Sequence, residues 1–214
     1  MKTVVRLKKF SGNNFYFDRK SRYEFLVTEF DDLIKGDILD VGCDEKYLKS
    51  ISPGNINYTG IDKNSKADIY MDLEKDSLLS INKKFDTVIC TEVLEHLENI
   101  HRVFDEILEI SKKYIIISLP NAWFEFKKIP VLNNSNKYYG LPAEKPGDRH
   151  RWFFNFCEAK KFIEKRAEGK VEEITFYPYF NRSNKIVKVL AKTFLPENKY
   201  FNLFSPNLWA VIRK

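Results

Sequence analysis

Five short runs organise the first 120 residues: "DILDVG", "INYTGID", "ADIYMD", "FDTVICTE" and "KYIIISLP". They are rich in Ile, Val and Tyr and mostly lack the polar alternation of a strand with one wet face. Each therefore reads as a strand buried on both sides, the kind found in parallel sheets covered by helices. The segments around them supply those helices. "NIHRVFDEILEISKK" sets Ile100, Val103, Phe104, Ile107, Leu108 and Ile110 along one stripe, as a crossover helix requires. "SRYEFLVTEFDDLI" places Tyr23, Phe25, Leu26, Phe30 and Leu33 on roughly one face before the stop signal Gly36, which predicts an N-terminal helix over 18–35. "CEAKKFIEKRAEG", stopped by Gly169, is followed by the strands "VEEITFYPYF" and "NLWAVIRK". Alternating strands and helices in this order predict an α/β fold with a doubly wound sheet.

A chain of 214 residues with 43% hydrophobic and 15% aromatic residues is expected to form one globular domain over 1–214, and it contains no internal repeat. Cys43, Cys90 and Cys157 are isolated and odd in number, so neither a disulfide framework nor a zinc site is indicated, and no metal-ligand cluster stands out. "MKTVVRLKKFSGNN" lacks the apolar core of a signal peptide, and no run of about 18 apolar residues occurs. The expectation is a soluble, cytoplasmic protein. The net charge of +6 comes from 36 basic residues scattered among 30 acidic ones. That mixture reads as a solvated, lysine-rich surface rather than a nucleic-acid face.

In a doubly wound sheet the ligand lies beyond the C-terminal ends of the central strands. The first of these ends, "ILDVGCDEK", opens like a nucleotide-binding turn, but Asp44 and Lys46 stand where a glycine-rich loop has glycine. Twenty residues after Gly42 the next strand ends in Asp62, placed to accept hydrogen bonds from a ribose. Asp44 and Glu45 argue against a dinucleotide, whose pyrophosphate they would repel. They are compatible with S-adenosylmethionine, which presents a sulfonium and an ammonium instead. If residue 44 takes a positive φ, Asp is among the few non-glycine residues that visit that region readily.

"ILDVGCDEK", "YTGIDKN", "ADIYMDLEK", "FDTVICTEVLEHLEN" and "YIIISLPNAW", in this order and spacing, resemble the successive motifs of class I S-adenosylmethionine-dependent methyltransferases, the group with "LDVGCGxG" and "EVLEHL" signatures. The resemblance spans about residues 36–123 and departs from the family at "GCDEK". It implies a Rossmann-like, mostly parallel seven-stranded sheet with its last strand antiparallel. It also implies S-adenosylmethionine as cofactor, with Asp40 and Gly42 at the methionine moiety, Asp62 at the ribose, Asp72 and Leu73 at the adenine edge, and Thr91 and Glu92 beneath the sulfonium. His96 in "EVLEHL" matches a family feature and is expected mainly to brace the loop before the crossover helix.

Two insertions, about 121–156 and 179–206, are expected to cap the acceptor side. In the first, "DRHRW" gathers Asp148, Arg149, His150, Arg151 and Trp152: an acid to orient an imidazole, guanidiniums for an anionic acceptor, and an indole for a sugar or aromatic ring. The other reading of "DRHRW" is a salt-bridged loop anchored by Trp152. His150 is the first candidate general base and His96 the second; Arg149, Arg151 and Trp152 are the candidate acceptor contacts. The second insertion holds an amphipathic stretch with Ile186, Val189, Leu190 and Phe194 against Lys185, Lys188 and Lys192, suited to a lid, an oligomer contact or a membrane-surface helix. The expected activity is methyl transfer to oxygen or nitrogen of a small molecule or glycan, without a metal. The alternatives are a protein or RNA acceptor, or a non-catalytic binding or scaffold protein that keeps the fold, which the missing glycines would favour.

Overall fold

The computed structural model describes residues 2–11, 15–52, 54, 56–126, 144, 148–180 and 191–214. Its strands are β1 (Val4–Leu7), β2 (Gly36–Val41), β3 (Ile56–Asp62), β4 (Ile69–Tyr70), β5 (Phe85–Thr91), β6 (Ser111–Pro120), β7 (Glu173–Tyr179) and β8 (Asn207–Arg213). The helices are α1 (Arg19–Phe30), α2 (Tyr47–Ile51), α3 (Ile100–Ile110), α4 (Ala122–Phe126), α5 (Phe156–Ala167) and α6 (Glu197–Phe204). The strands form one sheet in the order β1-β7-β8-β6-β5-β2-β3-β4. Among the described residues only β8 runs against its neighbours, β6 and β7; the other pairings are parallel. The last strand is therefore antiparallel, as the resemblance implied. The count is corrected from seven to eight: β1 pairs with β7 at the far edge. All four of its residues are exposed, so it carries no burial pattern that a sequence could show.

The apolar runs are explained by two cores, one on each face. Along β6, Ile115, Ile117 and Leu119 enter the layer under α3 and α5, while Ile116 joins the layer under α1. Along β8, Leu208, Ala210 and Ile212 point to the first layer, Trp209 and Val211 to the second. Both side-chain sets of a strand are thus removed from water, which is why alternation is missing from the sequence. The stripe expected on α3 is buried in full, from Ile100 to Ile110. Helix α1 begins at a capping box: the Asp18 carboxylate accepts from the Ser21 amide at 2.7 Å.

The topology switches between β2 and β5, where the chain leaves in opposite directions. The crevice at the C-terminal ends of β2, β3 and β5 opens there. The amphipathic residues Lys185, Ile186, Lys188, Val189 and Leu190 lie outside the described residues; Phe194 and Lys192 are exposed. The start of the first insertion is tied to α6, because the Asn121 side-chain amide donates to the Ser205 and Asn202 carbonyls at 2.7 and 2.8 Å. Among the described residues no helix is long and apolar enough to cross a membrane.

Candidate functional site

The turn after β2 holds three residues at positive φ: Gly42 (75°), Asp44 (48°) and Lys46 (56°). The glycine-poor loop therefore keeps a left-handed backbone path, at a cost that Asp bears better than most residues. Its side chains offset part of that cost. Asp44 pairs with Arg19 at 2.7 Å, and Lys46 pairs with Asp68 at 3.0 Å. The Asp44 amide donates to Asp62 Oδ2 at 3.0 Å, so the turn and the acid at the end of β3 fix one another. Gly42 could not be another residue without movement, since a Cβ there would lie 2.3 Å from Val93 Cγ2.

A cavity of about 920 Å³ opens beside this turn. Gly42, Asp62, Asp72, Leu73, Thr91 and Glu92 all border it, as do His96, Arg149, His150 and Arg151. Asp72 is held by the Glu74 amide at 3.1 Å, a bond that keeps its carboxyl below the usual range. Glu92 sits at φ 56° and accepts from Ser118 Oγ and Asn207 Nδ2 at 3.0 and 2.9 Å.

Two expected contacts lie elsewhere. Asp40 is not on the cavity wall but fully buried beside it, with one oxygen accepting from Tyr23 and the other from Tyr58. Burial pushes its carboxyl up to about 7, against the two hydroxyl donors, which pull it down. Asp40 thus supports the turn from below. Trp152 is likewise off the cavity: its indole donates to the Leu97 carbonyl at 2.6 Å and the ring packs against the core. It anchors the loop. The Arg151 and Trp152 amides both donate to the Glu95 carbonyl, and the Arg151 side chain binds the His96 carbonyl and Glu98. Cys43 is buried, and its thiol is pushed up to about 12 by burial and then by Asp40 and Asp62, which leaves it inert. His101 is exposed, edge-on to Phe162 at 5.5 Å.

The latch brings together residues that are far apart in sequence. Asp148 pairs with His96: Asp148 Oδ1 lies 2.8 Å from His96 Nδ1, and the Arg149 carbonyl lies 3.1 Å from the same nitrogen. His150 packs edge-on to His96, ring centroids 4.6 Å apart. Both histidines approach Glu95, whose Oε1 is 3.7 Å from His96 Nε2 and 3.9 Å from His150 Nε2. Glu95 is fully buried, and neither of its oxygens has a hydrogen-bond partner among the described residues. Burial, and then the charge of Glu92, push its carboxyl well above the usual range. Burial lowers His150 to about 4, with the charge of His96 adding to it. The sequence reading missed Glu95 and its convergence with His150, because the two are 55 residues apart and only the latch joins them. Glu95, His96 and His150 each offer a ligand atom within 4.8 Å of the others, a juxtaposition that the sequence reading did not foresee.

A doubly wound sheet with an acid-lined cavity at its switch point is the arrangement in which α/β enzymes bind nucleoside-type cofactors. Residues 16–162, more than half of the chain, match the family described as "Methyltransferase domain", and the chain belongs to that family. It is a methyltransferase-domain protein, and S-adenosylmethionine is the methyl donor that its sequence resemblance implies. Solved structures with the same fold include the small RNA methyltransferase HEN1, with 17% identity and TM-score 0.61, covering 97% of this chain and 27% of that one. They also include an S-adenosylmethionine-dependent methyltransferase from Clostridium acetobutylicum (13%, TM-score 0.58, 92% of each chain). A third is the N-methyltransferase NodS from Bradyrhizobium japonicum, with bound S-adenosylhomocysteine (12%, TM-score 0.54, 95% of this chain and 93% of that one). The chain thus spans about a quarter of the length of the HEN1 structure. No curated protein matches it in sequence. The cavity fits the cofactor on its own terms, through the left-handed cradle at Gly42, the fixed acid Asp62, and an apolar wall of Met71, Leu73, Val93 and Leu97.

Proposed function

We propose that this enzyme methylates a small-molecule or glycan acceptor at oxygen or nitrogen, with Gly42, Asp62, Asp72, Leu73, Thr91 and Glu92 holding the cofactor and the 148–153 loop holding the acceptor. One observation carries the reading: a single cavity of about 920 Å³ is bordered both by the strand-end residues and by Arg149, His150 and Phe153. That volume lies near the top of the usual range for small-ligand sites, about 300–1,000 Å³. S-adenosylmethionine supplies a methyl group on a sulfonium that is already a good leaving group. The protein's task is therefore mainly alignment, a contribution of about 7–11 kcal/mol in well-oriented systems. Arg149 is exposed and offers its guanidinium to an anionic or hydroxylated group. Phe153 and Trp123, 46% and 54% exposed, with Phe126 between them, offer ring faces to a sugar or planar acceptor. Three free cysteines, two of them buried, favour work in a reducing, cytoplasmic setting.

RNA is the second reading, favoured by the likeness to HEN1; against it stands the mixed charge of 36 basic and 30 acidic residues. Arg149→Ala and His150→Ala decide whether the loop holds the acceptor. Methyl transfer from labelled cofactor to a metabolite extract should fall at least tenfold in both, while S-adenosylhomocysteine affinity stays within twofold. Transfer at the wild-type rate in both variants would move the acceptor site elsewhere. Labelling of added RNA, with none in the metabolite extract, would favour the second reading.

A further inference from the structure

We propose that Glu95, His96 and His150 form a binding site for one divalent first-row transition-metal ion on the wall of the methyl-transfer cavity. The inference rests on the cavity assignment above and adds a ligand that the fold does not call for.

Three features of the cluster converge. First, His96 Nδ1 faces two acceptors, the Asp148 carboxylate at 2.8 Å and the Arg149 carbonyl at 3.1 Å. An acceptor requires a proton opposite it, so in the neutral ring the hydrogen is on Nδ1 and Nε2 carries a lone pair. That lone pair lies 3.7 Å from Glu95 Oε1, another acceptor. Second, Glu95 is fully buried with both oxygens lacking a hydrogen-bond partner among the described residues. A buried carboxylate in this condition is costly unless it takes up a proton or a cation meets it. Third, the separations suit an ion better than a proton. Hydrogen bonds close at about 2.7–3.2 Å, well short of the 3.7 and 3.9 Å from Glu95 Oε1 to the two histidine nitrogens. Ligand atoms bound at about 2.0–2.2 Å to one ion stand roughly 3–4 Å apart. One donor atom from each of the three residues lies within 4.8 Å of the others, so a small contraction closes the shell.

The donor set of two imidazoles and one carboxylate selects Zn²⁺, Co²⁺ or Mn²⁺-type ions over Ca²⁺. Asp148 behind His96 reproduces the carboxylate–histidine–metal arrangement, in which the outer acid fixes the tautomer and ring direction. The Arg151 and Trp152 amides, which clamp the loop onto the Glu95 carbonyl, hold His150 against the other two. His96 and His150 themselves border the cavity, so an ion held by them faces the space assigned to the acceptor and would take an oxygen from it.

The test is a titration of the full chain, without a histidine tag and stripped with chelator, with Co²⁺ followed by visible absorption. The expected result is one equivalent bound with a ligand-field spectrum. Asp148→Asn should weaken binding about 10–100-fold as an outer-shell change, and Glu95→Gln and His150→Gln by more. Circular dichroism checks the fold of each variant; should Glu95→Gln misfold, the loop-borne His150→Gln carries the same test. Absence of stoichiometric binding, or binding that neither ligand variant weakens, overturns the proposal. S-adenosylhomocysteine affinity, measured alongside, reports separately on the cofactor cavity, so failure of the metal site and failure of the cavity reading are distinguishable.

Discussion

The Tyr23 hydroxyl donates to Asp40 Oδ1 across 3.0 Å, joining the first helix to the end of the strand that begins the cofactor turn. Tyr58 completes the arrangement on Oδ2 at 2.9 Å. Two neutral donors and complete burial leave Asp40 with a carboxyl raised from 3.8 to about 7, so it binds a proton more tightly in the folded than in the unfolded chain. The stability this contributes is fully present below about pH 4 and is lost as pH rises to about 7.

Asp40→Asn mimics the protonated acid and should remove that dependence. About three pKa units correspond to an upper limit of about 4 kcal/mol. Between pH 4 and 7.5, wild-type denaturant stability should fall relative to the variant by about 1–4 kcal/mol. Glu95 titrates in the same direction but is present in both chains, so the difference isolates Asp40. A constant difference across that range would mean that Asp40 is already ionised in the fold at pH 4.

Gly42→Ala and Gly169→Ala share a conformational cost but not a steric one. Both glycines have φ near 75°, so each substitution should cost about 1–2 kcal/mol. At Gly169 a Cβ meets nothing within 4 Å, whereas at Gly42 it would strike Val93 on the cavity wall. Gly42→Ala should therefore lose a further 1–3 kcal/mol or so of stability, and S-adenosylhomocysteine should bind more weakly. Equal stability of the two variants, by urea titration, would refute a tight cradle.

Asp44→Gly with Lys46→Gly restores glycine where φ is 48° and 56°. Relief of left-handed strain opposes the loss of two surface ion pairs, each worth about 0–1 kcal/mol. Net stability should change by less than about 1 kcal/mol, and cofactor binding should stay equal or become tighter by calorimetry. Abolished binding would make these side chains ligands in their own right.

The sheet was legible because burial on both faces leaves its mark in consecutive residues: Ile115, Ile116 and Ile117 alternate between cores yet are all apolar. Edge strand β1 was not, since Val4–Leu7 is exposed and pairs with residues about 170 positions away. The turn after β2 and the acid facing it could be read from Gly42 and Asp62, because chain order fixes their distance across adjacent strands. The latch could not. "DRHRW" shows an acid two residues from a histidine, but the fold pairs Asp148 with His96 and ties the half-buried Trp152 to the Leu97 carbonyl, choices set by where the loop returns rather than by spacing.

Asp62 is where the cofactor assignment is most exposed to refutation. Its Oδ2 is occupied by the Asp44 amide, so Asp62→Ala removes both a ribose acceptor and a support of the turn. Asp62→Asn separates the two, because an amide oxygen can still accept from Asp44 while the negative charge is gone. A hydrogen bond to a charged acceptor is worth about 1.5–3 kcal/mol, roughly 10–150-fold in Kd. The alanine variant should lose at least that much S-adenosylhomocysteine affinity. The asparagine variant should lose a smaller but measurable part, with thermal stability near wild type. If calorimetry finds both variants binding like wild type, the ribose is held elsewhere, and the acid at the end of β3 serves only to fix the turn.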